Sequence, residues 1–392
     1  MSKNFKYLDD LIHSGVKEIV LDSDIVLDDG EEFEFKDGIN LDVDFLIIEG
    51  NNHIIDAKES ARIFYVTGQN IILNNITLKN GYAEEYGGAI YNEGQLSISK
   101  STITKNIAKE FGGAIENGGE LLIFKSTING NKVENLGGAI SNGGELSIFE
   151  SKFNRNIAKS LGGAIFNSWE LSIFESKFNK NQADNGGAIF NQNTLSIFNS
   201  AFNDNSADNQ GGVVYNYSFK VSKSEINEQK VKKVGRSIYR ATKLFISEST
   251  FNKNKSKLGG AIANDNGEIS IFKSIFNENT AQTGGTIINF GNLGVAKISI
   301  FESIFNKNTA NEGGVIDNDR EMSIFKSTFN ENNARFYGGA ILNSHIGVLD
   351  ISESTFLSNY SKDYGGAISN SNKNLNLKDC TFKDNKPDDV CN

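Results

Sequence analysis

The chain has 392 residues, a net charge of −10, 39 Gly, a single Pro and two Cys. The lone Pro387 leaves nearly every backbone N–H free to donate to a strand ladder, and two cysteines supply no disulfide framework. An acidic balance without broadly clustered cations argues against nucleic acid as the main partner, and no apolar run of about 18 residues is present to predict a membrane span.

In chain order, residues 1–60 carry 16 Asp and Glu against 5 Lys, so almost all of the net charge sits there and the remainder is close to neutral. Phe5, Leu8, Leu11 and Ile12 have helical spacing and Gly15 is a stop signal, which predicts a short amphipathic capping helix. The N-terminus has no apolar core of the kind an export signal needs. The acidic run Asp22, Asp24, Asp28, Asp29, Glu31, Glu32, Glu34 does not match the spacing of a calcium loop and is expected to be a solvated cap. Residues 1–39 are therefore assigned to an acidic cap of a short helix plus strands, 40–385 to the main body, and 386–392 to a charged tail that blunts the last edge.

From Gly87 the chain repeats. Gly-Gly recurs in register at 87, 112, 137, 162, 186, 211, 259, 284, 313, 338 and 365, mostly at steps of 24 or 25 residues. The gap from 211 to 259 is two such steps, with Gly235-Arg236-Ser237-Ile238 at its midpoint, read as a degenerate coil in unbroken register. One good copy runs Gly162-Gly-Ala-Ile-Phe-Asn167, Leu171-Ser-Ile-Phe174, Ser176-Lys-Phe178-Asn-Lys-Asn181. Each block has strand length and apolar alternation, and Asn, Gly and Ser separate the blocks. Three short strands per period, none able to bury its apolar side alone, predict an all-β solenoid: a single-stranded right-handed parallel β-helix of three sheets and about 12 coils.

Ala164, Ile165, Leu171, Ile173 and Phe178 are predicted to face inward. Two asparagine columns, one from Asn92 to Asn370 and one from Asn131 to Asn385, are expected to form amide ladders at bends that use left-handed backbone. The Gly-Gly pairs imply positive φ or close approach between coils. Cys380 and Cys391 are compatible with one terminal disulfide or with two free thiols.

Gly-Gly-Ala-Ile recurring with Phe-x-x-Asn, as at Phe153 to Asn156, Phe178 to Asn181, Phe276 to Asn279 and Phe329 to Asn332, resembles the repeat of chlamydial polymorphic outer-membrane proteins and of adhesin-like surface proteins of methanogenic archaea. The stretches around Gly50-Asn-Asn-His-Ile-Ile-Asp56 and Asn75-Ile-Thr-Leu-Lys-Asn-Gly81 resemble the first coils of the same adhesin-like group. The resemblance spans roughly residues 40–385 and implies an extracellular or cell-surface rod used for attachment. It departs in having neither a signal peptide nor a C-terminal β-barrel anchor.

Polysaccharide lyases and hydrolases of related architecture are the enzymatic alternative. Their calcium-binding carboxylate groups with an Arg or Lys, and their Gly-His-Gly and Arg-Ile-Lys elements, do not occur here, and His13, His53 and His345 lie far apart. The Asp-Asp pairs at 9–10, 28–29 and 388–389 fall in the cap and tail, and neighbouring strand residues point to opposite faces, so they are read as solvated charge. No catalytic residue, metal or cofactor is assigned.

Two outward features remain. Alternation in Leu-Ser-Ile-Phe turns Phe124, Phe149, Phe174, Phe198, Phe272, Phe301 and Phe325 outward, a column able to stack on sugar rings or dock a partner chain, or else merely to stack on itself in a corner. Residues 219–243 hold a basic patch that includes Lys230, Lys232, Lys233, Arg236 and Arg240, suited to an anionic glycan if it is more than an eroded repeat with solvated lysines. The expectation is a monomeric, non-enzymatic, adhesin-like protein whose partners are glycans or surface proteins, with a cleaving enzyme and a structural spacer as the alternatives.

Overall fold

The structure is a computed structural model. It describes residues 2–218, 242–292 and 296–392, together with the backbone of 220–221, 231–234 and 237–240. Nearly all of it is strand, in two compact units, Met1–Ala183 and Asp184–Asn392.

In the first unit three parallel sheets, of seven, six and seven strands, wind as a solenoid. Register is residue for residue: Leu96↔Leu121, Leu121↔Leu146 and Leu146↔Leu171 stack in one sheet, and Ile90↔Ile115, Ile115↔Ile140 and Ile140↔Ile165 in another. The expected inward residues Ala164, Ile165, Leu171, Ile173 and Phe178 are all buried. A narrow fourth sheet runs through Tyr82–Ala83, Ile107–Ala108, Lys132–Val133 and Ile157–Ala158. Turns already form before the first Gly-Gly, since Glu18–Val20 pairs with Ile47–Glu49 and Ile39–Leu41 with Phe64–Val66. These glycine-poor turns carry no repeat signature, which is why the period alone counts too few.

The predicted helix spans Phe5–Ile12 and buries Phe5, Leu8 and Ile12. Asn4 Oδ1 accepts from the Tyr7 N–H at 3.1 Å, and the Glu31 carboxylate accepts from the Phe5 and Lys6 N–H groups. The first-turn donors that a helix leaves unpaired are thus satisfied, two of them by the acidic run itself.

The second unit repeats the plan, with seven, eight and seven strands in its three parallel sheets. Phe202, Phe251, Phe276, Phe305, Phe329 and Phe356 are fully buried and stack face to face at centroid distances of 4.7 to 4.9 Å. Here one expectation fails. Thr194–Phe198 pairs directly with Lys243–Ser247, and Ala201–Asn203 with Thr250–Asn252, so the segment between adds no turn. Instead Lys220–Val221 and Val231–Val234 flank Ser237–Arg240 in a small antiparallel sheet. The Oγ atoms of Ser218 and Thr242 lie 2.7 Å apart and clasp the neck of this excursion.

The glycine pairs of the stacked turns have a distinct geometry. The first of each pair has positive φ, as at Gly137 (+71°) and Gly162 (+68°). At the second, a Cβ would lie 2.5 Å or less from the carbonyl oxygen of the equivalent glycine one turn on, as at Gly88, Gly113 and Gly138. Each glycine therefore answers one of the two requirements inferred for the pair.

Both asparagine ladders are present. In the first unit the amides run Asn92→Asn117→Asn142→Asn167 at 2.7 to 2.8 Å and Asn106→Asn131→Asn156→Asn181 at 3.0 to 3.1 Å. In the second they include Asn289, which joins Asn264 to Asn318. The backbone reading needs correction: none of the ladder asparagines among the described residues has positive φ. That conformation falls on charged neighbours such as Arg155 (52°), Lys180 (56°) and Lys253 (55°). A buried serine ladder, unforeseen, runs beside them: the Ser126 N–H donates to Ser151 Oγ, and Ser151 N–H to Ser176 Oγ, both at 3.0 Å. Cys380 continues the serine pattern, its Sγ 3.4 Å from the Lys378 oxygen. Cys380 and Cys391 are both free thiols, which settles the alternatives left by their spacing.

Candidate functional site

The outward phenylalanines end the strands Glu120–Phe124, Glu145–Phe149 and Glu170–Phe174 in the first unit, each half-buried. Phe149 and Phe174 stack at 4.9 Å with 4° between planes, and Lys125 Nζ lies 4.7 Å from the Phe124 centroid. In the second unit Phe198 pairs in register with Ser247, so it tilts onto Phe245 at 5.2 Å. Phe272, Phe301 and Phe325 are consecutive, with Phe301 42% exposed and edge-on to Phe325 at 5.9 Å. Lys273 and Lys326 each cover the preceding ring at 4.8 Å. The rings are thus partly self-stacked and partly capped by lysine, with one edge open. The side chains of Lys230, Lys232, Lys233, Arg236 and Arg240 lie outside the described residues.

A second aromatic surface, which repeat reading passed over, sits in the first unit. Tyr65 and Tyr91 are partners on adjacent turns, their rings 5.3 Å apart; Tyr86 stacks on Tyr91 at 5.5 Å and on Phe111 at 5.3 Å. Beneath them Arg62 is buried, its guanidinium donating to the carbonyls of Asp37, Tyr86 and Gly87 at 2.8 to 3.2 Å and lying 5.6 Å from the Tyr91 centroid. Burial lowers the Arg62 pKa, and carbonyl dipoles rather than a carboxylate hold its charge. Arg62 therefore locks the Tyr86-Gly87 turn. The result is a groove of about 500 Å3 bordered by Tyr65, Tyr82, Tyr86 and Tyr91 with Asp37 and Glu84.

Carboxylates organise the hydroxyls. Tyr65 and Tyr91 both donate to Glu93, the latter at 2.8 Å, and Tyr82 donates to Glu84 at 2.6 Å, while Lys109 pairs with Glu84 at 2.5 Å. Burial first, then the Glu93 hydrogen bond, raises the Tyr91 pKa, so its phenol stays a donor at any ordinary pH. Glu116 follows Tyr91 on the same outward column; burial pushes its carboxyl up to about 7, and its Oε2 is buried without a hydrogen-bond partner. The signal in sequence was three tyrosines within ten residues, Tyr82, Tyr86 and Tyr91, with Tyr65 one turn earlier. Their columns change residue type from turn to turn, Tyr86 giving way to Phe111 and Leu136, and Tyr91 to Glu116 and Ser141, so the period does not single them out.

Other titratable groups are scattered. The imidazoles of His13, His53 and His345 meet Asp42, Asp24 and the Ser371 carbonyl respectively, at 3.2, 3.2 and 2.9 Å. Among the described residues no group of three or more His, Cys, Asp or Glu is placed to hold a metal ion. Asp388 is not solvated charge: its Oδ1 accepts from the N–H groups of Gly365 and Gly366, at 2.7 and 3.2 Å, closing the last Gly-Gly turn. No helix among the described residues is long and apolar enough to cross a membrane.

These features define a parallel β-solenoid repeat protein with outward aromatic surfaces. The model of the Chlamydia polymorphic membrane protein repeat matches residues 175–192, which hold one Phe-x-x-Asn and one Gly-Gly-Ala-Ile. The comparison with curated proteins gives no match. Among solved structures, the PL6 family alginate lyase AlyGC is 10% identical, with 98% of this chain and 89% of that chain covered and a TM-score of 0.22. A mutant of the periplasmic alginate epimerase AlgG is 9% identical, with 96% and 88% covered and a TM-score of 0.24.

Proposed function

We propose that the chain is a non-enzymatic, adhesin-like solenoid of the cell surface or extracellular space, binding glycan or protein partners along its flanks. The observation that carries this reading is the outward aromatic surface in each unit: Phe124, Phe149 and Phe174 with the tyrosine groove in the first, and Phe272, Phe301 and Phe325 in the second. Aromatic surface left partly open on a sheet flank is costly in water and is the chemistry that stacks on sugar rings or takes a partner's apolar side chains. The matched repeat, which is that of a membrane-protein family, supports a surface location. The basic segment holding Lys230, Lys232, Lys233, Arg236 and Arg240 adds a contact for an anionic polymer, weakened by salt.

Cleavage of a polysaccharide is the second reading. It draws on Glu116, whose pKa of about 7 suits a general acid. Passing the protein over a panel of immobilised acidic and neutral glycans and measuring both retention and released product separates the two. Retention without product supports binding; product release overturns it. Loss of retention in Phe149→Ala/Phe174→Ala assigns binding to the phenylalanine flank.

A further inference from the structure

We infer that the tyrosine groove of the first unit is a binding site for an uncharged glycan, read through pyranose C–H faces and hydroxyl groups. This deepens the flank-binding reading and rests on it.

Three observations carry the ligand class. The groove, at about 500 Å3, has the size to hold one or two sugar rings, and its apolar surface comes from Tyr65, Tyr86 and Tyr91, with Tyr86 37% exposed. Its charge balance is acidic: Asp37, Glu84 and Glu85 face it against Lys36 and an Arg62 whose guanidinium is spent on backbone carbonyls. A uronate or sulfated polymer would find Lys109 already paired with Glu84 and Arg62 with backbone carbonyls, and would face the remaining carboxylates of Asp37 and Glu85. A neutral sugar meets them as acceptors for its hydroxyls.

The third observation is that the donors are already used internally. The phenols of Tyr65 and Tyr91 are given to Glu93 and that of Tyr82 to Glu84, which leaves the lining carboxylates of Asp37 and Glu85 as acceptors. A border rich in acceptors selects a ligand rich in donors, which an uncharged polyol is. Cationic ligands are a weaker fit, because Lys109 and Lys36 already attend the carboxylate side.

The test is affinity gel electrophoresis of the full chain in gels containing hydroxyethyl cellulose, galactomannan, alginate, polygalacturonate or chitosan. Retardation is expected in a neutral gel, with affinity falling about tenfold in Tyr65→Ala/Tyr91→Ala, the loss of roughly one ring-stacking contact per sugar, and unchanged in Lys159→Ala, an exposed position of the same unit away from the groove. Circular dichroism checks the fold. If the double variant loses its strand signal, Tyr86→Ala takes its place, with the same direction expected. Neutral retardation that survives the tyrosine variants and is lost in the phenylalanine variant overturns the groove while leaving flank binding intact. Retardation confined to alginate, polygalacturonate or chitosan overturns the ligand class. No retardation in any gel overturns the groove and the flank reading together.

Discussion

Gly138 and Gly143 stand five residues apart and carry opposite expectations. A Cβ on Gly138 would run into the Gly163 carbonyl of the next turn, whereas one on Gly143 meets nothing closer than the Asn117 oxygen at 3.6 Å. Gly138→Ala should cost ~2–4 kcal/mol by denaturant titration, since the turn spacing is fixed by the strand ladders and cannot yield, and Gly143→Ala should stay within ~0.5 kcal/mol. Asn156 donates to the Ile128 carbonyl and to Asn181, and its Oδ1 accepts from the Asn131 backbone and side chain. Asn156→Ala strands several buried polar groups at once and should cost about 3 kcal/mol or more on the same scale. Asp317 is 8% exposed, and burial, with Asp319 and Glu312 nearby, pushes its pKa up to about 8. A carboxyl raised in the folded state binds more protons there than when unfolded, so its contribution to stability falls as pH rises from about 4 to about 8. Asp317→Asn should flatten that part of the stability-pH curve and raise stability at pH 8; an unchanged slope would contradict the assignment. At this scale the recurring Asn and Phe were legible because they repeat. The charged residues in left-handed backbone were not, because Arg155 and Lys180 look like ordinary surface positions until the buried neighbouring asparagine is seen to hold the bend.

Among elements, the inward blocks Leu171-Ser-Ile-Phe174 and Ser176-Lys-Phe178 reached the page through alternation alone, and the helix Phe5–Ile12 through its spacing. The segment between Ser218 and Thr242 misled, because its length equals one period. Length counts residues; it does not say whether they stack, and Leu195 pairs directly with Leu244 across the whole segment. Since Ser218 and Thr242 already meet, replacing 219–241 by two glycines should leave the far-ultraviolet dichroism and the melting temperature within a few degrees of the parent. Collapse of the strand signal would mean that the segment is a turn after all. The tyrosine groove was hidden for a related reason: Tyr65 and Tyr91 share one column, but it continues as Glu116 and Ser141, so the tyrosine does not recur.

For the molecule as a whole, charge is arranged to be unremarkable along the repeats. Lys125 meets Glu150 at 3.5 Å in one unit, and Lys253–Glu278, Lys273–Glu302, Lys307–Glu331 and Lys326–Glu353 recur at 3.6 to 3.8 Å in the other. Such exposed pairs are worth little in stability, at ~0–1 kcal/mol each. Their effect is to cancel charge from turn to turn and leave aromatic surface as the distinguishing feature of the flanks. That is the physical basis for reading the chain as a binder. The most direct measurement is the molar mass of a retained glycan, by size-exclusion chromatography with light scattering, before and after prolonged incubation with the protein. Unchanged polymer mass alongside persistent co-elution is the predicted result; progressive shortening of the polymer would contradict it.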